Sequence, residues 1–135
     1  MRMAVFISHS AEETFEFAKR YAVTLHGGDV VLLGGDMGAG KTVFAKGVAF
    51  GLGIRDEITS PTYAYMNDYY GRLYHYDCYR LSSGAQAEAL GLTDYFYGNG
   101  VCLVEWAENI AEVLPENCKK VLIKKLGENE REITY

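Results

Sequence analysis

The stretch that decides the fold is VVLLGGDMGAGKT, which spans residues 30–42. Its first four residues are apolar, as expected for a β-strand that is buried on both faces. Residues 35–42 match the pattern GxxxxGK[ST], in which glycines let backbone N–H groups turn inward and form a nest for phosphate oxygens. A helix predicted to begin at Lys41 adds the positive end of its dipole. This stretch therefore predicts a P-loop.

Two side chains complete the predicted chemistry of this loop. Lys41 would supply a point charge to the β- and γ-phosphates, and the hydroxyl of Thr42 would ligate Mg²⁺. The alternative is a glycine-rich turn that carries an incidental Lys-Thr pair. The buried strand before the motif and the helical pattern after it favour the P-loop, because phosphate binding uses both elements. We therefore expect the chain to bind a nucleoside triphosphate with Mg²⁺.

Length and charge limit what else the chain can do. It has 135 residues, of which 49% are hydrophobic, and this suits one domain over residues 1–135. Its net charge is −5, whereas a surface that grips nucleic acid needs clustered Lys and Arg. We therefore expect a partner to hold any nucleic acid. The N-terminal apolar stretch is too short for a signal peptide or a membrane span, which predicts a cytoplasmic protein with no membrane partner.

The three cysteines, Cys78, Cys102 and Cys118, are scattered along the chain without a CxxC pair. Neither a zinc site nor a disulfide framework is therefore predicted. Cys78 and Cys102 lie in apolar runs, so we expect them to be buried, inert thiols.

The apolar pattern predicts an α/β fold with parallel central strands and antiparallel strands at the edges. Strands are expected over residues 3–7, 30–33, 63–69, 73–81, 101–104, 121–126 and 132–135, the last two forming a terminal hairpin. A capping box at Ser10 and Glu13 predicts a helix that ends at Gly27, and further helices are expected over 41–52, 86–90 and 110–114. The face of the first helix that is expected to be buried consists of Phe15, Ala18, Ala22 and Leu25. The lysines at 119, 120, 124 and 125 would form the solvated side of an edge strand.

Acidic residues lie within one predicted strand and directly after another. Glu105 comes directly after an apolar run, where a P-loop enzyme commonly places a second carboxylate near Mg²⁺. It would hold the metal through water or orient the attacking water; the alternative is a solvated residue at a strand end. His75 and Asp77 share one face of a strand. Asp77 would polarise the attacking water or bind in the outer shell of the metal, or the two side chains would form a structural His–Asp pair.

Other polar and aromatic residues are open to two interpretations. Thr59, Ser60 and Thr62 offer hydroxyls in a loop restrained by Pro61, which suits either a sensor of the γ-phosphate or hydrogen bonds within a turn. Trp106, beside Glu105, suits either the core or an interface or gate at the site.

Taken together, the motifs resemble the TsaE family, also called YjeE. Four stretches match in order, and an opening SxxxEET at residues 8–14 matches as well. The four stretches are GDMGAGKT at 35–42, SPTY at 60–63, HYDCYRL at 75–81 and LVEW at 103–106. The resemblance covers residues 8–135. Val43 stands where many relatives have Thr, so a hydroxyl contact to the nucleotide is lost there, while Tyr63 replaces a common Phe and Ala107 a frequent Pro.

The resemblance implies a P-loop NTPase fold, three layers deep (α/β/α), and an ATPase that uses Mg²⁺. It also implies two partners, TsaB and TsaD, which transfer threonylcarbamoyl to adenosine 37 of tRNA, so that tRNA is reached only through them. ATP hydrolysis would support turnover of that complex. The residues implied for nucleotide binding are Asp36, Gly38, Ala39, Gly40, Lys41, Thr42, Val43, Thr59 and Thr62. The resemblance assigns Thr42 and Glu105 to the metal, and Asp77 and Glu105 to catalysis.

Two other function classes compete with this one. A small-molecule kinase would need a lid that clamps a phosphate acceptor, and no Arg-rich stretch suggests one. A nucleotide-gated binding module with guanine specificity commonly has Asn-Lys-x-Asp, and the nearest stretch, at 117–120, lacks the acid. The same lack of a lid predicts slow hydrolysis by the isolated chain, with Arg80 as the one arginine beside a proposed catalytic stretch.

Overall fold

A computed structural model describes residues 3–61 and 64–135 of the chain. The strands are β1 (Val5–Ser8), β2 (Val30–Gly34), β3 (Met66–Tyr69), β4 (Leu73–Asp77), β5 (Val101–Glu105), β6 (Lys119–Lys125) and β7 (Arg131–Thr134). The helices are α1 (Ala11–Val23), α2 (Lys41–Gly51) and α3 (Gly84–Ala89), with 3₁₀ helices at Leu92–Tyr97 and Ala107–Val113. Across these described stretches, each helix is too short or too polar to cross a bilayer.

The strands form a mixed seven-stranded sheet in the order β1-β7-β6-β2-β5-β4-β3. β4 and β5 are parallel, whereas the edge strands β1 and β3 are antiparallel to their neighbours β7 and β4. The predicted α/β class, the antiparallel edges and the terminal hairpin of β6 and β7 are therefore confirmed. The four lysines are exposed as expected, but the prediction that they mark an edge strand is wrong, because β6 lies between β7 and β2.

The contacts within the chain divide it into two compact units. The first comprises the chain up to Leu25 with Leu33–Thr59 and Lys120–Tyr135, and the second comprises His26–Leu32 with Ser60–Lys119. The expectation of one domain over residues 1–135 stays a prediction.

In the first unit, the start of α1 follows from its capping residues. The backbone N–H of Glu13 donates to the Ser10 hydroxyl over 3.1 Å, as predicted for an N-cap. The Glu13 carboxylate does not complete the box at Ser10; it accepts from the N–H of His9 at 2.8 Å, one residue earlier. α1 ends at Val23, before the predicted stop at Gly27, because the Thr24 hydroxyl donates to the carbonyl of Tyr21 at 2.7 Å. Ala18 and Ala22 are buried as predicted, and Phe17 takes the place expected for Phe15.

Helices α1 and α2 pack closely because glycines of α2 face the backbone of α1. A Cβ built on Gly47 would lie 2.5 Å from the carbonyl oxygen of Phe15 and 2.6 Å from the Cβ of Ala18. At Gly51 the equivalent distances are 2.6 Å to the carbonyl of Lys19 and 2.7 Å to the Cβ of Ala22. Such distances leave no room for a methyl group. The glycines therefore set the separation of the two helices.

The second unit has its own apolar core. This core is formed by side chains of β4 and β5 and of the segments that flank these strands. Tyr76 is fully buried, and its hydroxyl donates to the carbonyl of Leu92 at 2.7 Å. Cys78 and Cys102 are fully buried too, as expected, and burial raises the pKa of each thiol to about 12; that the two thiols are inert stays a prediction.

β4 is shorter than predicted, and its end has a local cause. The strand stops at Asp77, whose carboxylate accepts from the N–H of Tyr79 at 3.0 Å and turns the chain. A hydrogen bond from the N–H of Leu81 to the carbonyl of Cys78 continues the turn. The 3₁₀ helix at Leu92–Tyr97 was not predicted, because its residues alone have no clear periodicity.

Replacing Gly47 with Ala tests the close packing of the two helices. In an isolated helix, Ala is favoured over Gly by about 1 kcal/mol. Here we expect Gly47→Ala to lower the free energy of unfolding by about 1–3 kcal/mol, because the new methyl group would press on α1. Denaturant unfolding followed by circular dichroism measures the change. Gly127→Ala, whose Cβ would meet only the flexible Glu130 side chain at 3.9 Å, is the control, and equal stability of the two variants would contradict the packing argument.

Candidate functional site

In the first unit, residues 35–42 adopt a conformation that depends on glycine. Gly35, Gly38 and Gly40 have φ angles of 143°, 78° and 106°, in the region that side chains disfavour. A Cβ on Gly35 would also lie 2.5 Å from the carbonyl oxygen of Ile123. The N–H of Ala39 closes a turn by donating to the carbonyl of Asp36 at 3.0 Å. The loop is thus a series of tight reversals that leads directly into α2.

The residues that begin α2 suit an anion. Gly40 is its N-cap and has no side chain that could accept hydrogen bonds from the first N–H groups of the helix. An anion can therefore accept hydrogen bonds from these N–H groups. Lys41 is buried at the first position of the helix, and Thr42 is exposed at the second. The remaining predicted contacts differ in exposure: Asp36 and Gly38 are exposed, Ala39 is buried, and Val43 is half-buried.

An arginine from the C-terminal hairpin contacts the outside of this loop. Arg131 Nε donates to the carbonyl of Ala39 at 2.9 Å, and Nη2 lies 3.5 Å from the carbonyl of Gly38. Its Nη1 lies 3.0 Å from the carbonyls of Gly127 and Glu130 and 3.2 Å from that of Glu128. This role of Arg131 could not be predicted from the sequence, because no local signal links the residue to a loop more than ninety residues earlier.

A small open cavity of about 110 Å³ borders the loop within the same unit. Its walls come from three parts of the chain: the start of α1, the start of α2 and the β6–β7 hairpin. The lining residues are Ser10, Ala11, Thr14, Gly40, Val43, Glu128, Asn129 and Arg131. Sites for drug-sized ligands hold roughly 300 Å³ or more, so this cavity suits only a part of a nucleotide.

In the second unit, the carboxyl ends of β4 and β5 bring together the two predicted acids. Asp77 is the register partner of Glu105, and His75 is that of Leu103. Partners in register point to the same face of a sheet, and so do residues two apart, so the two acids and His75 share one face. Nε2 of His75 lies 2.6 Å from a carboxylate oxygen of Glu105.

This arrangement excludes two of the alternatives that the sequence left open. Glu105 is only 8% exposed and His75 only 2%, so the interpretation of Glu105 as a solvated strand-end residue is wrong. The structural His–Asp pair is also not formed, because His75 pairs with Glu105 while Asp77 binds the N–H of Tyr79. Glu105 is thus held in the interior, whereas Asp77 stays half-buried.

The hydrogen bond between His75 and Glu105 uses only one nitrogen of the imidazole, Nε2. The other nitrogen, Nδ1, is buried and has no partner in the part of the chain that the structure describes. A buried polar atom without a partner carries a cost in free energy, so the contact with Glu105 is the interaction that holds this ring in the interior.

Trp106 follows Glu105 in a conformation that costs energy. Its φ of 58° is left-handed, a region disfavoured for a bulky residue. The indole ring packs edge-on against Tyr79, with ring centroids 4.9 Å apart. Asn109 Nδ2 donates to the carbonyls of Cys78 and Tyr79 at 3.0 and 3.2 Å and holds the facing segment. Trp106 is therefore held beside Glu105 by packing, although whether it acts as a gate stays a prediction.

The predicted sensor loop is only partly described. Thr59 is exposed and belongs to the first unit, and Ser60 is exposed in the second. Thr62 lies outside the described residues, as does Tyr63. The sensor role of this loop stays a prediction.

Breaking the buried pair in the second unit should destabilise the protein. We expect His75→Leu to lower the free energy of unfolding by about 1–3 kcal/mol, because the buried Glu105 carboxylate loses its hydrogen bond with His75. The double variant His75→Leu/Glu105→Leu should be more stable than the sum of the single changes predicts, since neither polar group is left unpaired. Denaturant titrations of the four proteins give the coupling. Simple additivity would show that the contact carries no energy.

Comparison with known proteins places the chain in a family. The family model described as "Threonylcarbamoyl adenosine biosynthesis protein TsaE" matches residues 8–133. The tRNA threonylcarbamoyladenosine biosynthesis protein TsaE of Bacillus subtilis is 49% identical over 92% of this chain and 79% of its own length. The protein of the same name from Treponema pallidum is 44% identical over 95% and 96%.

A solved structure agrees with these relatives. The crystal structure of Bacillus subtilis YdiB matches with a TM-score of 0.82 and 43% sequence identity, covering 98% of this chain and 84% of that one. The match of the family model, which takes in the P-loop, both acids and Arg131, shows that the chain belongs to the TsaE family.

Proposed function

We propose that this chain binds and hydrolyses ATP with Mg²⁺, as the ATPase subunit of an assembly that makes threonylcarbamoyladenosine in tRNA. The observation that carries the proposal is the P-loop conformation at the start of α2. Three left-handed glycines shape the loop, Gly40 leaves the helix N-terminus uncapped, and Lys41 and Thr42 follow at once. Backbone N–H groups, an ammonium group and a hydroxyl at a helix N-terminus match the needs of a polyphosphate with Mg²⁺.

The proposed metal site fits the donor groups that the chain offers. Mg²⁺ keeps several waters and takes one or two protein ligands in addition to phosphate oxygens. The exposed Thr42 hydroxyl is such a ligand, and the family resemblance adds the Glu105 carboxylate, directly or through water. When bound, Mg²⁺ would offset the negative charge of the β- and γ-phosphates. Arg131 and Glu128, at the cavity edge, are not assigned to the metal.

The two acids of the second unit suit different roles. Glu105 is buried and hydrogen-bonded to His75, so its carboxylate has a fixed direction, as orienting a water or a metal-bound water requires. Asp77 is half-buried, and one of its oxygens holds the turn at Tyr79. Among the residues that the structure describes, the other oxygen has no hydrogen bond, and we assign it to polarising a water. The proposal therefore assigns Glu105 and Asp77 to hydrolysis and the P-loop to binding.

The cavity next to the P-loop is the proposed place for the ribose or the base. It begins at Gly40, where the phosphates would end, and Val43 supplies an apolar wall in place of the hydroxyl that many relatives have there. Ser10, Thr14 and Asn129 add polar groups. A cavity of about 110 Å³ accepts only one such part of the nucleotide.

The wider setting of the activity follows from the family. We place the sheet and helices in the P-loop NTPase class, with three α/β/α layers, and the activity in the cytoplasm. TsaB and TsaD type proteins would be the partners, with tRNA contacted only through them. The net charge of −5 supports this, since an acidic chain gains little from phosphate contacts of its own. Hydrolysis by the isolated chain would be slow.

The Glu105→Ala variant separates binding from hydrolysis. We expect its dissociation constant for Mg·ATP, measured by calorimetry, to stay within about threefold of the parent, while hydrolysis falls by about 10²-fold or more. The reason is that the phosphate-binding groups belong to the P-loop and the carboxylate does not. Glu88→Ala, which removes an exposed acid from α3, is the control for the loss of charge. A parallel loss of affinity would make Glu105 a binding residue, and no heat with Mg·ATP in the folded parent would end the ATPase proposal.

Capture of partners tests the proposed assembly. We expect immobilised chain to retain TsaB and TsaD type proteins in the presence of Mg·ATP and to release them without nucleotide, because closure of the site would need the triphosphate. The Lys41→Ala variant should retain neither partner, whether Mg·ATP is present or absent. Capture that ignores nucleotide would argue against gating. Phosphorylation of a metabolite pool by the purified chain would favour the kinase alternative.

A further inference from the structure

We infer that Arg131 is a positioning residue for the P-loop, acting from behind the peptide groups that face the phosphates. The inference rests on the proposed function, because it concerns the same loop. It adds a residue outside the P-loop, from the C-terminal hairpin, that prepares the loop for its ligand.

The geometry of the guanidinium group carries this inference. Arg131 Nε donates to the carbonyl of Ala39 at 2.9 Å, and Nη2 lies 3.5 Å from that of Gly38. Those carbonyls belong to the peptide groups that also contain the N–H groups of Gly40 and Ala39. The N–H of Ala39 already donates to the carbonyl of Asp36 at 3.0 Å, so the peptide group with the N–H of Gly40 is the one that Arg131 can prepare for an anion. The side chain therefore lies on the carbonyl side of two consecutive peptide planes of the loop.

A phosphate nest makes such a contact useful. Backbone N–H groups can point inward at an anion only if the carbonyls of the same peptide groups point outward. Outward carbonyls need donors, and a guanidinium supplies several in a fixed planar fork. A positive group on the carbonyl also polarises the peptide, which strengthens its N–H as a donor to phosphate. Arg131 thus favours the binding conformation before the ligand arrives.

Arg131 is itself held in place from the other side. Its Nη1 lies 3.0–3.2 Å from the carbonyls of Gly127, Glu128 and Glu130 in the turn between β6 and β7. Nη1 carries two hydrogens, which these three carbonyls share, and together with the contacts of Nε and Nη2 they hold the guanidinium in one orientation. The hairpin turn and the P-loop are thus joined through a single side chain. A lysine has the charge but not the fork, so it could not contact both sets of carbonyls.

The test compares Arg131→Gln and Arg131→Lys with Arg72→Gln, which removes an exposed arginine beside the other hairpin, before β4. Hydrogen exchange of the amides of residues 38–42, without nucleotide, is the first measurement. We expect faster exchange at Ala39 and Gly40 in Arg131→Gln, with amides in the strands β6 and β7 unchanged. Calorimetry with Mg·ADP is the second, and we expect a dissociation constant raised about tenfold, since hydrogen bonds to a charged group are lost. Arg131→Lys should lie between Arg131→Gln and the parent.

Each outcome decides the inference. If exchange in the P-loop and the affinity both stay at parent values while unfolding shifts to lower denaturant, Arg131 serves the hairpin alone and the inference is wrong. The same holds if Arg72→Gln weakens binding equally. If Arg131→Gln does not fold, exchange in Arg131→Lys decides by itself. Because exchange is read without nucleotide, a parent that binds no nucleotide would overturn the proposed function and leave this measurement standing.

Discussion

The constraint on which the first unit depends is the backbone conformation of residues 35–42. This segment has left-handed backbone at Gly35, Gly38 and Gly40, and such a conformation favours glycine. Gly35 also lies against the carbonyl of Ile123, where a Cβ would come within 2.5 Å of the oxygen, so the loop and β6 pack closely. The carbonyls of Gly38 and Ala39 then need donors, and Arg131 provides them. One backbone requirement thus accounts for glycines, a strand contact and a distant arginine.

A second constraint, the parallel register of β4 and β5, places the acids. Because Asp77 and Glu105 are partners in register, both lie at the carboxyl ends of neighbouring strands, where α/β proteins commonly hold functional groups. Their surroundings then separate them. Glu105 is buried against His75, and Asp77 is half-exposed and closes a turn. Two carboxylates in different environments can take different roles, as acid and base pairs in enzymes do.

The sequence predicted what is local and missed what is not. The glycine-rich loop before α2, the Ser10 cap and the terminal hairpin each follow from residues a few positions apart, so the sequence predicted them. The partner of His75 lies thirty residues away on another strand, and spacing alone offered Asp77 instead. The four lysines were correctly predicted to be exposed to solvent, but the position of their strand in the sheet was not. Any strand with one solvent-exposed face has the same alternating pattern, whether it lies at the edge or inside the sheet. Arg131 is the clearest example of what the sequence could not predict, since its contact with the loop depends on how distant segments of the chain fold together.

The division of groups between the two units bears on how hydrolysis is controlled. The groups proposed to grip phosphate belong to the first unit and are prepared within it, since the loop, α2 and the C-terminal hairpin hold one another. A preformed site loses little freedom on binding, so the chain should bind nucleotide even when no partner is present. The acids proposed for hydrolysis belong to the second unit. Partners that are retained only in the presence of Mg·ATP must, by thermodynamic reciprocity, also tighten the binding of Mg·ATP, so the proposed assembly would hold its nucleotide while the acids of the second unit act.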